Sequence, residues 1–168
     1  MLNSYWLAIP FILQMLCMAA DELWFHRKRG LPRWERIGHP IDTLTVVLCL
    51  AWILCVQPTR RTVIVLVVLA AFSCFFVTKD EPIHWRRCAV GEQWLHAILF
   101  TLHPLVLASA AFIWPAVGGT PPRWSLYLLR FSGFERAFLT GICGLMIGFG
   151  MYQFVFWNLP WRPKKNTP

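Results

Sequence analysis

The chain has 168 residues, of which 57% are hydrophobic, and its mean hydropathy is +0.52. Soluble domains are usually about 45–50% apolar, so we expect a membrane protein whose length suits one helical bundle. The net charge of +8 is better explained by short basic loops that fix membrane topology than by nucleic-acid binding. No basic stripe is interleaved with exposed aromatic residues, and we therefore expect no nucleic-acid partner.

Five apolar segments are long enough to cross a bilayer, which needs roughly 20 helical residues. The first covers residues 5–26 and lacks the basic start of a secretory signal, so we expect it to be retained. A basic loop containing Gly30 and Pro32 follows, and the second helix is predicted at residues 39–57 with Pro40 in its first turn. The other three are predicted at residues 62–78, 92–116 and 136–157.

The five apolar segments predict an all-α, integral membrane bundle of five transmembrane helices. Pro104 should kink the fourth helix, and residues 125–134 are amphipathic and predicted to lie in the membrane interface. Residues 1–160 are expected to form a single transmembrane helical domain, and residues 161–168 a short basic cytoplasmic tail. Five of the six cysteines lie in apolar segments, where a thiol behaves as a small hydrophobe, so no disulfide framework is expected.

The basic residues choose the orientation of the five spans. Five spans place the termini on opposite sides of the membrane, and the side richer in Lys and Arg is the cytoplasmic one. We therefore predict an N-terminus outside and a C-terminus in the cytoplasm, in a bacterial inner membrane. One side carries five basic residues: Arg60, Arg61, Arg123, Arg130 and Arg136. The other carries eleven: Arg27, Lys28, Arg29, Arg33, Arg36, Lys79, Arg86, Arg87, Arg162, Lys164 and Lys165.

The potential metal ligands gather at the predicted cytoplasmic ends of the helices, which hold all five histidines and seven of the eight acids. Four carboxylate–imidazole pairs are three or four residues apart, so the members of each pair share a helix face. The predicted ligands are Glu22, His26, His39, Asp42, Glu92, His96 and His103, with Glu81 and His84 in reserve. Asp21 is an alternative to Glu22 as the partner of His26.

Carboxylates and imidazoles are the ligands that iron, manganese or zinc sites use, whereas copper(I) prefers softer donors. Dinuclear sites in helical bundles need such a set, although the paired Glu-x-x-His signature of those proteins is missing here. His96 and His103 lie inside an apolar helix, where ionisable groups are costly and usually functional. Cys88 is the one cysteine among polar residues. Its role stays open between a thiolate ligand, a group that supports the ligands and an inert thiol.

Several of these residues also have purely structural explanations. Glu35 could pair with Arg33 or Arg36, and the carboxylates of Asp80 and Glu81 could be favoured by the dipole at the start of a helix. His103 could hydrogen-bond a carbonyl that Pro104 leaves without a donor. We therefore interpret Glu35 as structural and the Glu22–His26, His39–Asp42 and Glu92–His96 pairs as functional.

Three functions remain open at this level. The first is a membrane metalloenzyme that oxidises or hydrolyses a lipid-soluble or amphiphilic substrate at one metal ion or two. The second is a haem protein that uses His39 and His103 for electron transfer. The third is a non-catalytic accessory subunit, since Gly141, Gly144, Gly148 and Gly150 on the fifth helix allow close packing within the chain or in a homo- or hetero-oligomer.

Overall fold

The computed structural model describes residues 2–81, 84, 88–119, 129–131 and 133–159. All five long helices are long and apolar enough to cross a membrane, which confirms the predicted number of spans. Outside them, Leu2–Asn3 pairs in parallel with Leu129–Arg130. The helices are α1 (Ser4–Arg29), α2 (Arg33–Cys55), α3 (Arg60–Phe76, extended by a 3₁₀ turn over Val77–Asp80), α4 (Val90–Val117) and α5 (Glu135–Asn158).

Helix α1 changes its geometry along its length. A 3₁₀ turn at Ser4–Ala8 leads into regular α-helix at Ile9–Ala20, which widens into a π turn at Asp21–His26 before a last α turn. The helix ends at Gly30, whose φ of 74° lies in the left-handed region that glycine adopts without a steric penalty. The chain can therefore reverse within three residues and enter α2.

Helix α2 begins at Arg33, six residues earlier than predicted, because Pro32 takes an extended conformation at the N-cap. The predicted basic loop is thus reduced to residues 30–32, and Pro40 lies inside the helix. Proline has no N–H, so the carbonyl four residues before it loses its helical donor. That carbonyl, on Arg36, accepts a hydrogen bond of 3.3 Å from Asn158 Nδ2 at the end of α5.

Helix α2 is the centre of the bundle, packing most extensively against α5 and also against α3 and α4, while α1 packs on α4. The apolar core fills the half in which α2 and α4 end and α3 and α5 begin, with Leu50, Ile53, Ile113, Trp114 and Leu139 almost fully buried. The outward helix faces expose large apolar side chains, as expected where lipid replaces water. The opposite half of the bundle contains the buried histidines and, with the exception of Glu135 at the start of α5, the buried acids of the described residues.

Some predictions fall partly or wholly outside the described residues. Of the predicted interfacial helix at residues 125–134, Leu129–Arg130 is extended, while residues 125–128 lie outside the described part. The tail at residues 161–168 also lies outside it. The orientation across the membrane and the single-domain assignment remain predictions.

Candidate metal centre

The polar half of the bundle buries four carboxylates, those of Asp21, Glu22, Glu35 and Glu92, each at most 6% exposed. Burying a carboxylate is costly unless a cation or hydrogen bonds compensate for the lost hydration. Arg29 lies 2.9 Å from Glu35 Oε2 and 2.8 Å from Glu92 Oε1. Among the described residues, one guanidinium faces these four buried carboxylates, which leaves an excess of negative charge while the imidazoles are neutral and favours a cation.

The π turn in α1 brings Asp21 and His26 to the same side. In a regular α-helix, residues five apart point about 140° away from each other. Here the N–H of Arg27 donates to the carbonyl of Glu22, five residues back, and the wider turn leaves His26 Nε2 3.1 Å from Asp21 Oδ2. Single π turns within α-helices occur frequently at functional sites.

The two ring nitrogens of His26 have different surroundings. Nδ1 lies 3.4 Å from Glu22 Oε2, which suits an N–H that donates to the carboxylate. Nε2 lies 3.1 Å from Asp21 Oδ2 and 4.0 Å from Glu92 Oε1. Although it is buried beside these oxygens, Nε2 has no hydrogen-bond partner of suitable geometry. The nitrogen is therefore placed as a metal ligand would be, with its lone pair available.

Glu22 is itself held by α5. Its Oε1 accepts hydrogen bonds from the Tyr152 hydroxyl at 3.0 Å and from Trp157 Nε1 at 2.9 Å. In metal sites, a carboxylate commonly accepts the second ring N–H of a ligating histidine and so fixes its tautomer and orientation. Glu22 stands in that relation to His26.

Helix α4 contributes Glu92 and His96 from successive turns. His96 Nε2 lies 3.3 Å from both Asp21 carboxylate oxygens. Its other nitrogen, Nδ1, lies 2.7 Å from His84 Nδ1, a hydrogen-bond distance at which one ring must donate. His84 Nε2 is 3.7 Å from Glu35 Oε1. His84 therefore contacts the ring nitrogen of His96 that does not face Asp21, and it connects His96 to the Arg29–Glu35 pair.

Asp21, His26, Glu92 and His96 form the primary cluster. Each offers one ligand atom, and these four atoms all lie within 4.8 Å of one another. Ligands of a tetrahedral ion with bonds of 2.0–2.1 Å are roughly 3.3 Å apart, so a small contraction would close the cluster around one cation. A buried His/Asp/Glu cluster that could hold a divalent metal is thus present.

His26, Glu35 and His39 form the secondary cluster, whose ligand atoms also lie within 4.8 Å of one another. The His26 and His39 rings stack with centroids 4.9 Å apart. Because His26 belongs to both clusters and directs Nδ1 at Glu22, it can give Nε2 to one ion. The secondary cluster is therefore an adjacent or alternative position.

The structure places Asp42 in an ion pair. Its carboxylate oxygens lie 2.7 and 2.6 Å from Lys79 Nζ, and one of them lies 3.8 Å from His39 Nδ1. The lysine thus compensates the charge of Asp42 without a metal ion, and Asp42 belongs to neither cluster.

Two further predicted ligands also lie outside both clusters. Glu81 is exposed. His103 is buried, but its Nε2 is 2.9 Å from Ser73 Oγ, which in turn lies 2.7 Å from Thr45 Oγ1. His103 therefore has a hydroxyl partner in the membrane-spanning region, rather than the backbone carbonyl proposed from the sequence.

Asp21 and Glu35 belong to the clusters but not to the predicted ligand set. The sequence ranks Asp21 behind Glu22 because α-helical spacing pairs Glu22 with His26, and the two adjacent acids at the end of an apolar helix are the one sign of a π turn. For Glu35 the sequence predicts a pair with Arg33 or Arg36. Glu35 is fully buried and pairs with Arg29 instead, because α2 begins before it.

Cys88 is partly buried beside the site. The pKa of its thiol is raised to about 12, chiefly by burial, with Arg29 opposing the rise and the Glu92 carboxylate adding to it. The group is therefore a neutral thiol at physiological pH and belongs to neither cluster.

Four members of the two clusters, Asp21, His26, His39 and His96, line a cavity of about 100 Å³. Pockets that bind cofactors or drug-sized ligands measure roughly 300–1,000 Å³, so this cavity has no room for a haem between His39 and His103. It suits metal ions and a small reacting group.

No protein-family model matches the sequence, and comparisons with curated proteins and with solved structures found no match.

Proposed function

We propose that the primary cluster binds a divalent metal ion and that the chain is an integral-membrane metalloprotein. The observation that carries this proposal is the buried Nε2 of His26, which faces Asp21 and Glu92 without a hydrogen bond while Glu22 accepts from the other ring nitrogen. The excess of buried carboxylates supports it, because a cation would offset their charge.

The mixed set of two imidazoles and two carboxylates favours iron, manganese or zinc. A second ion would use Glu35 and His39 of the secondary cluster, giving a dinuclear centre. We further propose that the protein is an enzyme acting on a lipid-soluble or amphiphilic substrate, since the cluster lies inside a bundle of membrane-spanning helices. A redox metal would serve oxidation, and a Lewis-acidic metal would activate water for hydrolysis.

Elemental analysis of the detergent-purified protein tests the metal site. We expect at least one equivalent of iron, manganese or zinc per chain after loading, and loss of most of it in His96→Ala and in Glu92→Gln. The matched controls are Glu81→Gln, an exposed acid of the same region, and His103→Gln, whose amide can still pair with Ser73; both should keep the wild-type metal content.

Size-exclusion chromatography and circular dichroism establish that each variant is folded. Sub-stoichiometric metal in the folded wild type after loading with each of the three ions would refute the metal site. Equal metal content in the wild type, His96→Ala and Glu92→Gln would refute the primary cluster as its location.

A further inference from the structure

A second cavity, of about 230 Å³, lies between α1, α4 and α5 and adjoins the polar one. Of the described residues that line it, none is charged, and Gln14 is the one with a polar side chain. Four side chains line both cavities: Gln14, Met18, Met146 and Phe149. The apolar cavity therefore lies directly beside the cavity of the candidate metal centre, with these four side chains between them.

Gln14 marks the junction of the two cavities. It lies seven residues before Asp21 on the same face of α1, roughly 10 Å away along the helix. The residue is only 7% exposed, and its Oε1 is buried without a hydrogen-bond partner. A buried amide oxygen without a donor is unfavourable, and in an apolar cavity the missing donor has to come from a ligand or a water molecule.

We propose that the apolar cavity binds the hydrocarbon chain of a membrane-soluble alcohol whose hydroxyl donates a hydrogen bond to Gln14 Oε1. This inference rests on the proposed function, because it names the substrate class of the metal centre. A single buried acceptor in an uncharged lining matches one neutral hydroxyl and offers no partner for a charged head group.

The volume sets the length of the chain. A protein cavity of about 150 Å³ accommodates benzene, so 230 Å³ holds about nine non-hydrogen atoms. That is the size of a medium-chain alcohol such as 1-octanol. A hydroxyl bound at Gln14 would lie at the entrance to the polar cavity. The lining of that cavity runs from Gln14 past Met18 to Asp21.

Photocross-linking tests the inference. The probes are a nonanol that carries a diazirine in its chain and the corresponding diazirine hydrocarbon without the hydroxyl, with labelled peptides identified by mass spectrometry. In the wild type we expect both probes to label the cavity-lining segments of α1 and α5, and unlabelled 1-octanol to compete better than octane. Gln14→Leu should reduce labelling by the alcohol about tenfold, the effect of losing one hydrogen bond, and leave hydrocarbon labelling unchanged.

Ala19→Phe, which fills the lipid-exposed side of the cavity, should remove labelling by both probes. Ile12→Phe, at an exposed position of α1 outside the cavity lining, should leave both unchanged. Equal labelling of the wild type and Gln14→Leu by the alcohol would overturn the inference, as would labelling confined to other segments. The competition between octanol and octane in the wild type requires no variant, and equal competition would also overturn it.

Two measurements separate this inference from the proposed function. We expect Gln14→Leu to keep its metal and His96→Ala to keep alcohol labelling at the cavity. Labelling that depends on Gln14 in a protein without metal would support the alcohol site while refuting the metal centre. Metal binding without labelling of the cavity would refute the alcohol site alone.

Discussion

In our proposal, Glu22 supports the metal site without ligating the ion. Its Oε1 accepts from Tyr152 and Trp157, and its Oε2 faces His26 Nδ1. Both oxygens are thus used by protein donors, whereas the oxygens of Asp21 face the Nε2 atoms of two histidines. The roles that the sequence assigned to these two neighbouring acids are therefore exchanged in our interpretation.

Glu22→Gln should weaken metal binding without abolishing it. The amide oxygen still accepts from Tyr152 and Trp157, but its NH₂ group cannot accept from His26 Nδ1–H, so the ring loses its orientation. We expect metal affinity to fall by about 10- to 100-fold, measured by competition with a chelator, while saturating metal still gives wild-type stoichiometry.

Tyr152→Phe is the matched control for this variant. It removes one of the two donors to Glu22 Oε1 and should have a smaller effect than Glu22→Gln. Complete loss of metal in Glu22→Gln, as severe as in Glu92→Gln, would show that Glu22 is a ligand. Unchanged affinity would show that it does not orient His26.

Helices α2 and α5 pack closely at Gly150. A Cβ added at Gly150 would lie 3.3 Å from Thr43 Cγ2, tighter than ordinary van der Waals contact. Gly141, Gly144 and Gly148 have no atom of another element within 4 Å of such a Cβ. One glycine of the predicted packing row therefore serves contact within the chain, while an oligomer formed through the other three remains a prediction.

Gly150→Leu should destabilise the protein, whereas Gly144→Leu should not. Overpacking a close contact typically costs about 1–3 kcal/mol, and the displaced Thr43 lines the polar cavity. We expect Gly150→Leu to have a lower midpoint of thermal unfolding, measured by tryptophan fluorescence in detergent, and weaker metal binding. Equal midpoints for the two variants would contradict the packing argument.

The whole molecule divides its interior between an apolar half and a polar half. The core around Trp114 and Leu139 stabilises one end, and the buried histidines, Arg29 and four buried carboxylates occupy the other. The topology predicted from the sequence also assigns eleven basic residues to the side of the polar half and five to the other side. Together they predict that the candidate metal centre lies towards the cytoplasm.

A fusion experiment checks this orientation. Green fluorescent protein folds and fluoresces in the bacterial cytoplasm, and alkaline phosphatase is active on the outer side of the inner membrane. Because positive loops remain inside, we expect a C-terminal fluorescent-protein fusion to fluoresce and a C-terminal phosphatase fusion to be inactive. The reverse pair of results would place the metal centre on the outer side.

Hydropathy along the chain predicts the five helices that are long and apolar enough to cross a membrane. The order of the residues predicts that all the histidines and most of the acids gather at one end of the bundle. Hydropathy and residue spacing are local properties, and antiparallel helices joined by short loops bring alternate ends together. Local spacing also identified Glu22–His26 and Glu92–His96 as pairs that share a helix face. The prediction placed the start of α2 too late, because a proline such as Pro40 usually indicates the first turn of a helix. Pro40 is tolerated inside α2 because Asn158, far away in the sequence, donates to the Arg36 carbonyl that Pro40 leaves without a donor.

The pairing of side chains from different helices follows only from the folded arrangement. The π turn turned Asp21 towards His96, Arg29 reached Glu35 and Glu92 from a neighbouring helix, and Ser73 paired with His103. These contacts depend on how helices rotate and pack against one another, and the cost of burying a charge without a partner selects among the packings. Spacing along one helix carries no information about a partner on another.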